Sequence, residues 1–217
     1  MRSLAAVVVA AMGGFIVLVL EIIGARYLAK DFGGSFYVWV SQIGVILLAL
    51  AVGYAAGGAL ADRFAGLTVL VVLLVPAGLF TVLVPNLAPP VLDAIISRHP
   101  PQQAIPLFWQ KVDPALGSLC VFLLPCLVLA MIPPFLIRWV TPRVDRVGRS
   151  SGAVIAAGTV GSIAGVVAAG YFLLEWMRIS DIFRAMGALT LLVAALCAVI
   201  DRWLGRVDSS PAPPPIP

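Results

Sequence analysis

The sequence predicts an all-helical integral membrane protein with about six transmembrane helices. Of its 217 residues, 62% are hydrophobic and 11% are charged, and the mean hydropathy is +1.10. A soluble domain is roughly 45–50% apolar and about 25% charged. In lipid the backbone polar groups must be satisfied within each segment, so long apolar runs form helices. This composition argues against a water-soluble enzyme, a disordered protein and a nucleic-acid binder.

Six apolar runs are each long enough to cross a bilayer, which takes about 20 residues. They lie at about 4–25, 38–60, 67–88, 115–139, 152–175 and 183–201. The first is not a signal peptide by pattern, because its apolar stretch is too long and no small-residue cleavage site follows. The runs form one transmembrane domain, 1–206, and the Pro-rich residues 207–217 predict a disordered cytoplasmic tail.

Positive charge orients the predicted bundle. Six spans put both termini on one side, and the loop at 139–151 on that side is rich in Arg. The positive-inside rule then places both termini in the cytoplasm. On this assignment the whole formal net charge of +4 lies at the cytoplasmic surface, where anionic lipid attracts it. The positive charge is too sparse to track phosphates, so no nucleic-acid partner is expected.

Prolines interrupt the helical pattern in two places. The stretch 85–114 holds seven prolines and predicts an outer loop, at 89–114, with short helical pieces anchored by Trp109 at the membrane interface. That loop either lies on the lipid surface or covers an outward-facing cavity. Pro133 and Pro134 predict a kink near the inner end of the fourth span, which either shapes the bundle or gates it.

Glu21 and Glu175 are the two glutamates of the chain, and each lies in or beside an apolar span. A carboxylate in the membrane is costly unless it is paired or lines a wet cavity, so it suggests a function. With Arg26 and Arg178 nearby, the two acids form a candidate ligand or ion site. The alternative is that each acid pairs locally with its arginine near the headgroups.

Small residues predict close helix packing in spans two and five. Close approach of membrane helices is favoured by glycines spaced four apart. The candidate packing residues are Gly53, Gly57, Gly58, Gly158, Gly161 and Gly165. They pack either within one chain or between two copies in a homodimer. Cys120, Cys126 and Cys197 lack metal-ligand spacing, and no nucleotide-binding motif is present, so no metal or cofactor is expected.

Three stretches between about 13 and 185 resemble one known family. The matching residues of the first are Gly14-Phe15, Leu18, Glu21, Arg26, Leu28, Phe32-Gly33-Gly34-Ser35, Tyr37 and Trp39. Those of the second are Gly53-Tyr54, Gly57-Gly58 and Leu60-Ala61-Asp62-Arg63. Those of the third are Gly148-Arg149, Gly152, Ala156, Gly158-Thr159, Gly161-Ser162-Ile163-Ala164-Gly165 and Gly170. In this order they resemble the membrane part of spermidine synthase-like membrane proteins, often described as fusions of a major-facilitator-like part with a spermidine synthase domain.

The resemblance implies a half-facilitator-like bundle, and we expect it in the inner (plasma) membrane of a bacterium. Asp62-Arg63 is also similar to the cytoplasmic G-x-x-x-D-R loop of major facilitator transporters. The sequence lacks the Gly-rich loop and acidic residues with which a synthase domain would bind decarboxylated S-adenosylmethionine and a polyamine. The resemblance therefore implies a membrane module that is not itself an enzyme.

Three functions follow from these observations. All three require the lipid bilayer as a partner of the chain. The first is an anchor or partner for a separate cytoplasmic synthase-like protein, which would dock on Arg138, Arg143, Arg146 and Arg149. The second is a carrier or half-carrier for a small cation such as a polyamine, using Glu21 and Glu175. The third is a membrane scaffold without a ligand.

Overall fold

Among the described residues, six helical stretches are long and apolar enough to cross a membrane, which confirms the predicted all-helical class and the number of candidate spans. The structure is a computed structural model that describes residues 2–64, 66–100, 104–141 and 147–208, without the side chains of 204–208. Its helices are α1 (Arg2–Phe32), α2 (Phe36–Arg63), α3 (Thr68–Ser97), α4 (Leu107–Ala130), α5 (Ile132–Val140), α6 (Val147–Ala168), α7 (Leu174–Trp176) and α8 (Ile179–Asp208). A π-helical turn, Ala169–Leu173, joins α6 to α7.

The proline-rich stretch is the main departure from the sequence prediction. We expected a loop over 89–114, but α3 continues to Ser97 through Pro85, Pro89 and Pro90. The next helix, α4, already begins at Leu107. Each proline removes one donor from the helix, yet membrane helices tolerate this where neighbouring groups satisfy the freed carbonyls. Of the described residues in the stretch, only 98–100 and 104–106 lie outside the two helices.

Two further boundaries differ from the prediction. Residues 207 and 208 belong to α8 rather than to the tail, and 209–217 lie outside the described residues. The kink expected at Pro133 and Pro134 is a break: α4 ends at Ala130 and α5 begins at Ile132, and the two together form the fourth span. Two adjacent prolines at the start of a helix are favourable, because the first turn needs no donors there.

The first helix is the centre of the bundle. It packs against α6 along much of its length and also contacts α2, α4, α5 and α8. The other large contacts join α2 to α4 and α3 to α8. The buried side chains form one continuous apolar core. By contrast, α6 is peripheral, because Val154, Gly161 and Gly165 are its only buried residues.

Contacts between helix ends define two ends of the bundle. At the inner end, which the charge pattern predicts to be cytoplasmic, Arg2 lies 5.5 Å from the Trp139 ring and Asp62 lies 3.5 Å from Arg138. At the outer end, Lys111 lies 5.3 Å from the ring of Tyr37. These contacts mark the inner ends of α1, α2 and α5 and the outer ends of α2 and α4.

Candidate functional site

A groove of about 460 Å³ opens along one side of the inner half of the bundle. Small-molecule sites typically measure about 300–1,000 Å³. Helices α1, α2, α4, α5 and α6 contribute its lining, which includes Ala10, Gly14, Leu18, Tyr54, Pro134 and Ile155. The exposed side chains of Tyr54 and Ile155 mark its two rims, on α2 and α6.

The groove is largely apolar. Three hydroxyls lie in its wall: that of Tyr54 at the exposed rim, and those of Thr159 and Ser162, which both donate hydrogen bonds to backbone carbonyls. Thr159 bonds Ile155 at 3.0 Å, and Ser162 bonds Gly14 at 3.3 Å. Hydroxyls used in this way contribute little polarity, so a ligand here would contact mainly hydrocarbon.

A glycine contact between α1 and α6 forms the back of the groove. A Cβ on Gly161 would collide with the Ala11 carbonyl, and one on Gly165 would lie 2.5 Å from the Phe15 carbonyl oxygen. On α1, a Cβ on Gly14 would collide with the carbonyl of Gly158. The two backbones therefore touch, as the small-residue spacing predicts.

Glu21 lies at the outer end of this groove. Gly14, Leu18 and Glu21 share one face of α1, because a helix turns once in about 3.6 residues. The first two line the groove, so Glu21 continues that stripe by one turn, and its side chain is partly exposed. Glu21 is four residues, or about 6 Å, from the middle of α1, and the apolar core of a bilayer extends about 15 Å from its centre. The carboxylate therefore lies within the span.

The π-helical turn lies beside Glu21. Gly161 touches Ala11 and Gly165 touches Phe15, so α1 and α6 run parallel. Beyond these contacts, Ala169–Leu173 follows Gly165 as Glu21 follows Phe15, and this turn does contact α1. Single π-turns inside α-helices are frequent at functional sites, and this one follows α6 on the side of α1 that continues toward the carboxylate.

A buried polar pair lies one turn farther out. Ser118 donates a 2.7 Å hydrogen bond to Gln42 Oε1, and both side chains are fully buried. The other amide atom, Gln42 Nε2, has no hydrogen-bond partner and packs directly on Gly24 of α1. An unpaired buried donor is costly. The outer side of Glu21 is thus polar, while its inner side is the apolar groove.

The other members of the predicted ligand site do not join Glu21. Arg26 is exposed and lies about 140° around α1 from Glu21. Glu175 and Arg178 are also exposed, and the parallel packing of α1 and α6 puts Glu175 farther out than Glu21. No ion pair joins either glutamate to its neighbouring arginine within the described residues. The predicted local pairs are therefore absent among the described residues, and the convergence of the two acids stays a prediction.

The predicted packing glycines divide into two groups. A Cβ on Gly53 would collide with the carbonyl of Leu127, and one on Gly57 would lie 2.7 Å from the Met131 Cα. Gly158, Gly161 and Gly165 face α1, as described above. Gly58 has no neighbour within 4 Å among the described residues, so it makes no such contact within one chain, and its packing between two copies stays a prediction.

The inner surface carries the predicted loop motif. Asp62 and Arg138 face each other across the ends of α2 and α5, and both are largely exposed. Arg63 and Arg149 are exposed as well. The remaining residues of the predicted docking surface, Arg143 and Arg146, lie outside the described residues.

The outer surface holds a charged cluster that the sequence did not predict. The carboxylate of Asp113, only 4% exposed, is bonded by the guanidinium of Arg98 and, at 2.6 Å, by Nε2 of His99. The Arg98 guanidinium also lies 4.3 Å from the Trp109 ring. A guanidinium placed over the face of an aromatic ring in this way is attracted to the ring. The cluster ties the end of α3 to the start of α4.

Comparisons with protein-family models, with curated proteins and with solved structures find no match to this chain.

Proposed function

We propose that this integral membrane protein is a carrier or half-carrier for a small organic cation. The observation that carries the proposal is the position of Glu21, an acid that forms no ion pair among the described residues and lies one helical turn beyond the end of the groove, within the span. An intramembrane acid usually marks an ion or substrate pathway. The ammonium group of the substrate binds Glu21, and the rest of the substrate lies in the groove.

The helices around the groove support movement as well as binding. Glycine contacts let α1 and α6 meet without interlocking side chains, so the two helices can tilt against each other. The break at Pro133 and Pro134, which line the groove, allows the inner part of the fourth span to move separately. The resemblance to half of a facilitator is consistent with such a motion, and it is the basis for placing the protein in the inner membrane of a bacterium.

Uptake of labelled organic cations into proteoliposomes tests the proposal. Glu21→Gln is expected to lower uptake about tenfold or more, because a charged hydrogen bond contributes about 1.5–3 kcal/mol. Glu175→Gln is the matched control, since Glu175 is exposed and outside the site. Uptake equal to wild type in Glu21→Gln would show that Glu21 is not the binding group.

A second function is supported by the inner surface. The exposed Arg63, Arg138 and Arg149 offer positive charge to an acidic patch on a separate cytoplasmic synthase-like protein. Purification of the protein from native membranes should then recover such a partner. A variant with these three arginines changed to Gln should lose it, while the Glu21→Gln variant keeps it. Recovery of no synthase-like protein by the wild type would contradict this function.

A further inference from the structure

We infer that the groove of each chain selects a singly charged cation with an apolar body, rather than a polyamine. The inference rests on the proposed carrier function and narrows its substrate class. It follows from the position of one acid relative to an apolar groove.

The first step is the number of charges. Glu21 is one turn beyond the groove lining, and no other acid is among the described residues that line it. The nearest described acid at the inner end is Asp62, which is largely exposed and faces Arg138 at 3.5 Å. Each groove therefore supplies one negative charge, at its outer end.

The second step is the distribution of charge along the ligand. The part of α1 that lines the groove, from Leu18 to Ala10, is about 12 Å long. A polyamine carries an ammonium group every few carbon atoms, so its further ammonium groups would lie along this wall. There they would meet Ile132, Pro133 and Ile137, and a charge buried without a partner is strongly unfavourable.

The third step is what the groove offers instead. Since Thr159 and Ser162 donate to backbone carbonyls, the lining contributes mainly apolar contact. Burial of apolar surface is favourable in proportion to its area. A cation with one charged end and a hydrocarbon or aromatic body satisfies both parts of the site. Tyr54, at the rim, adds an aromatic ring to the contact surface.

Binding of 2-phenylethylammonium, which has one ammonium group at the end of an aromatic body, to the purified protein tests the inference, with spermidine as competitor. We expect saturable binding of one 2-phenylethylammonium per chain, and no displacement by spermidine at equal concentration. Glu21→Gln should weaken binding about tenfold or more, whereas Glu175→Gln should leave it unchanged. Ile155→Trp, which extends from an exposed rim into the groove, should also weaken binding while Glu21 stays intact.

The outcomes separate this inference from the proposed function. Displacement by spermidine at lower concentrations than by unlabelled 2-phenylethylammonium would overturn the substrate class and leave the carrier standing. Equal binding of 2-phenylethylammonium by wild type and by Glu21→Gln would overturn the inference. Uptake of neither cation in proteoliposomes would remove the carrier function itself.

Discussion

Asp113 and Glu21 are two carboxylates that the fold takes out of water, and their surroundings are opposite. Asp113 receives bonds from Arg98 and His99, so its charge is compensated within the protein. Glu21 has no ion-pair partner among the described residues and borders an apolar groove. A compensated acid holds helices together, whereas an uncompensated acid in a groove is available to a ligand. The comparison therefore gives the outer cluster a structural role and Glu21 a ligand-binding role.

The substitution with the largest expected effect disrupts the contact between α1 and α6 that holds the groove in shape. Gly161→Leu places a side chain against the Ala11 backbone, which no change of rotamer relieves. We expect the free energy of unfolding to fall by about 3 kcal/mol or more, which is the upper end of the range for overpacked sites. The measurement is the thermal unfolding midpoint in detergent, together with cation binding. The control is Gly152→Leu on the same helix, where nothing lies within 4 Å. Equal midpoints for the two variants would contradict the contact.

The substitution with the next largest expected effect breaks the outer cluster of Arg98, His99 and Asp113. Asp113→Asn keeps the size of the side chain but removes the charge that Arg98 and His99 share, and hydrogen bonds to charged groups contribute about 1.5–3 kcal/mol. Because Arg98 is partly exposed, the lower half of that range is expected. The unfolding midpoint should fall while cation binding by the folded protein stays at the wild-type level. A loss of binding with an unchanged midpoint would reverse the roles given to the two acids.

The sequence predicted the class and the number of helices because lipid imposes both. Apolar runs of sufficient length can only be helices there, so six runs give six spans. The error lay at Pro85, Pro89 and Pro90. A proline rule taken from soluble helices ended the third span too early, whereas the structure continues it to Ser97.

The candidate site was predicted only in part. Glu21 was identified from its apolar surroundings, which are local in sequence. Its separation from Arg26 follows from helical periodicity, because five residues turn one helix by about 140°. The position of Glu175 relative to Glu21 depends instead on how α1 and α6 pack, which no local sequence pattern encodes. The outer cluster was missed because His99 and Asp113 meet only where α3 and α4 pack. A histidine, an arginine and an aspartate on either side of a short Pro-rich turn were the available signal.

The smallest expected effect concerns the stability cost of Glu21 itself. Glu21→Gln removes a charge that the fold does not compensate, so the free energy of unfolding should rise by about 0.5–1 kcal/mol, within the range common for stabilising substitutions. The unfolding midpoint without ligand is the measurement, and Glu175→Gln, at an exposed position, should leave it unchanged. At one fixed concentration, 2-phenylethylammonium should then raise the wild-type midpoint more than that of Glu21→Gln, because a ligand stabilises the folded state in proportion to how tightly it binds it. A fall in the midpoint of Glu21→Gln would mean that Glu21 holds the fold together as Asp113 does, and the contrast between the two acids would disappear. A rise would instead identify Glu21 as an acid retained for binding at the expense of stability.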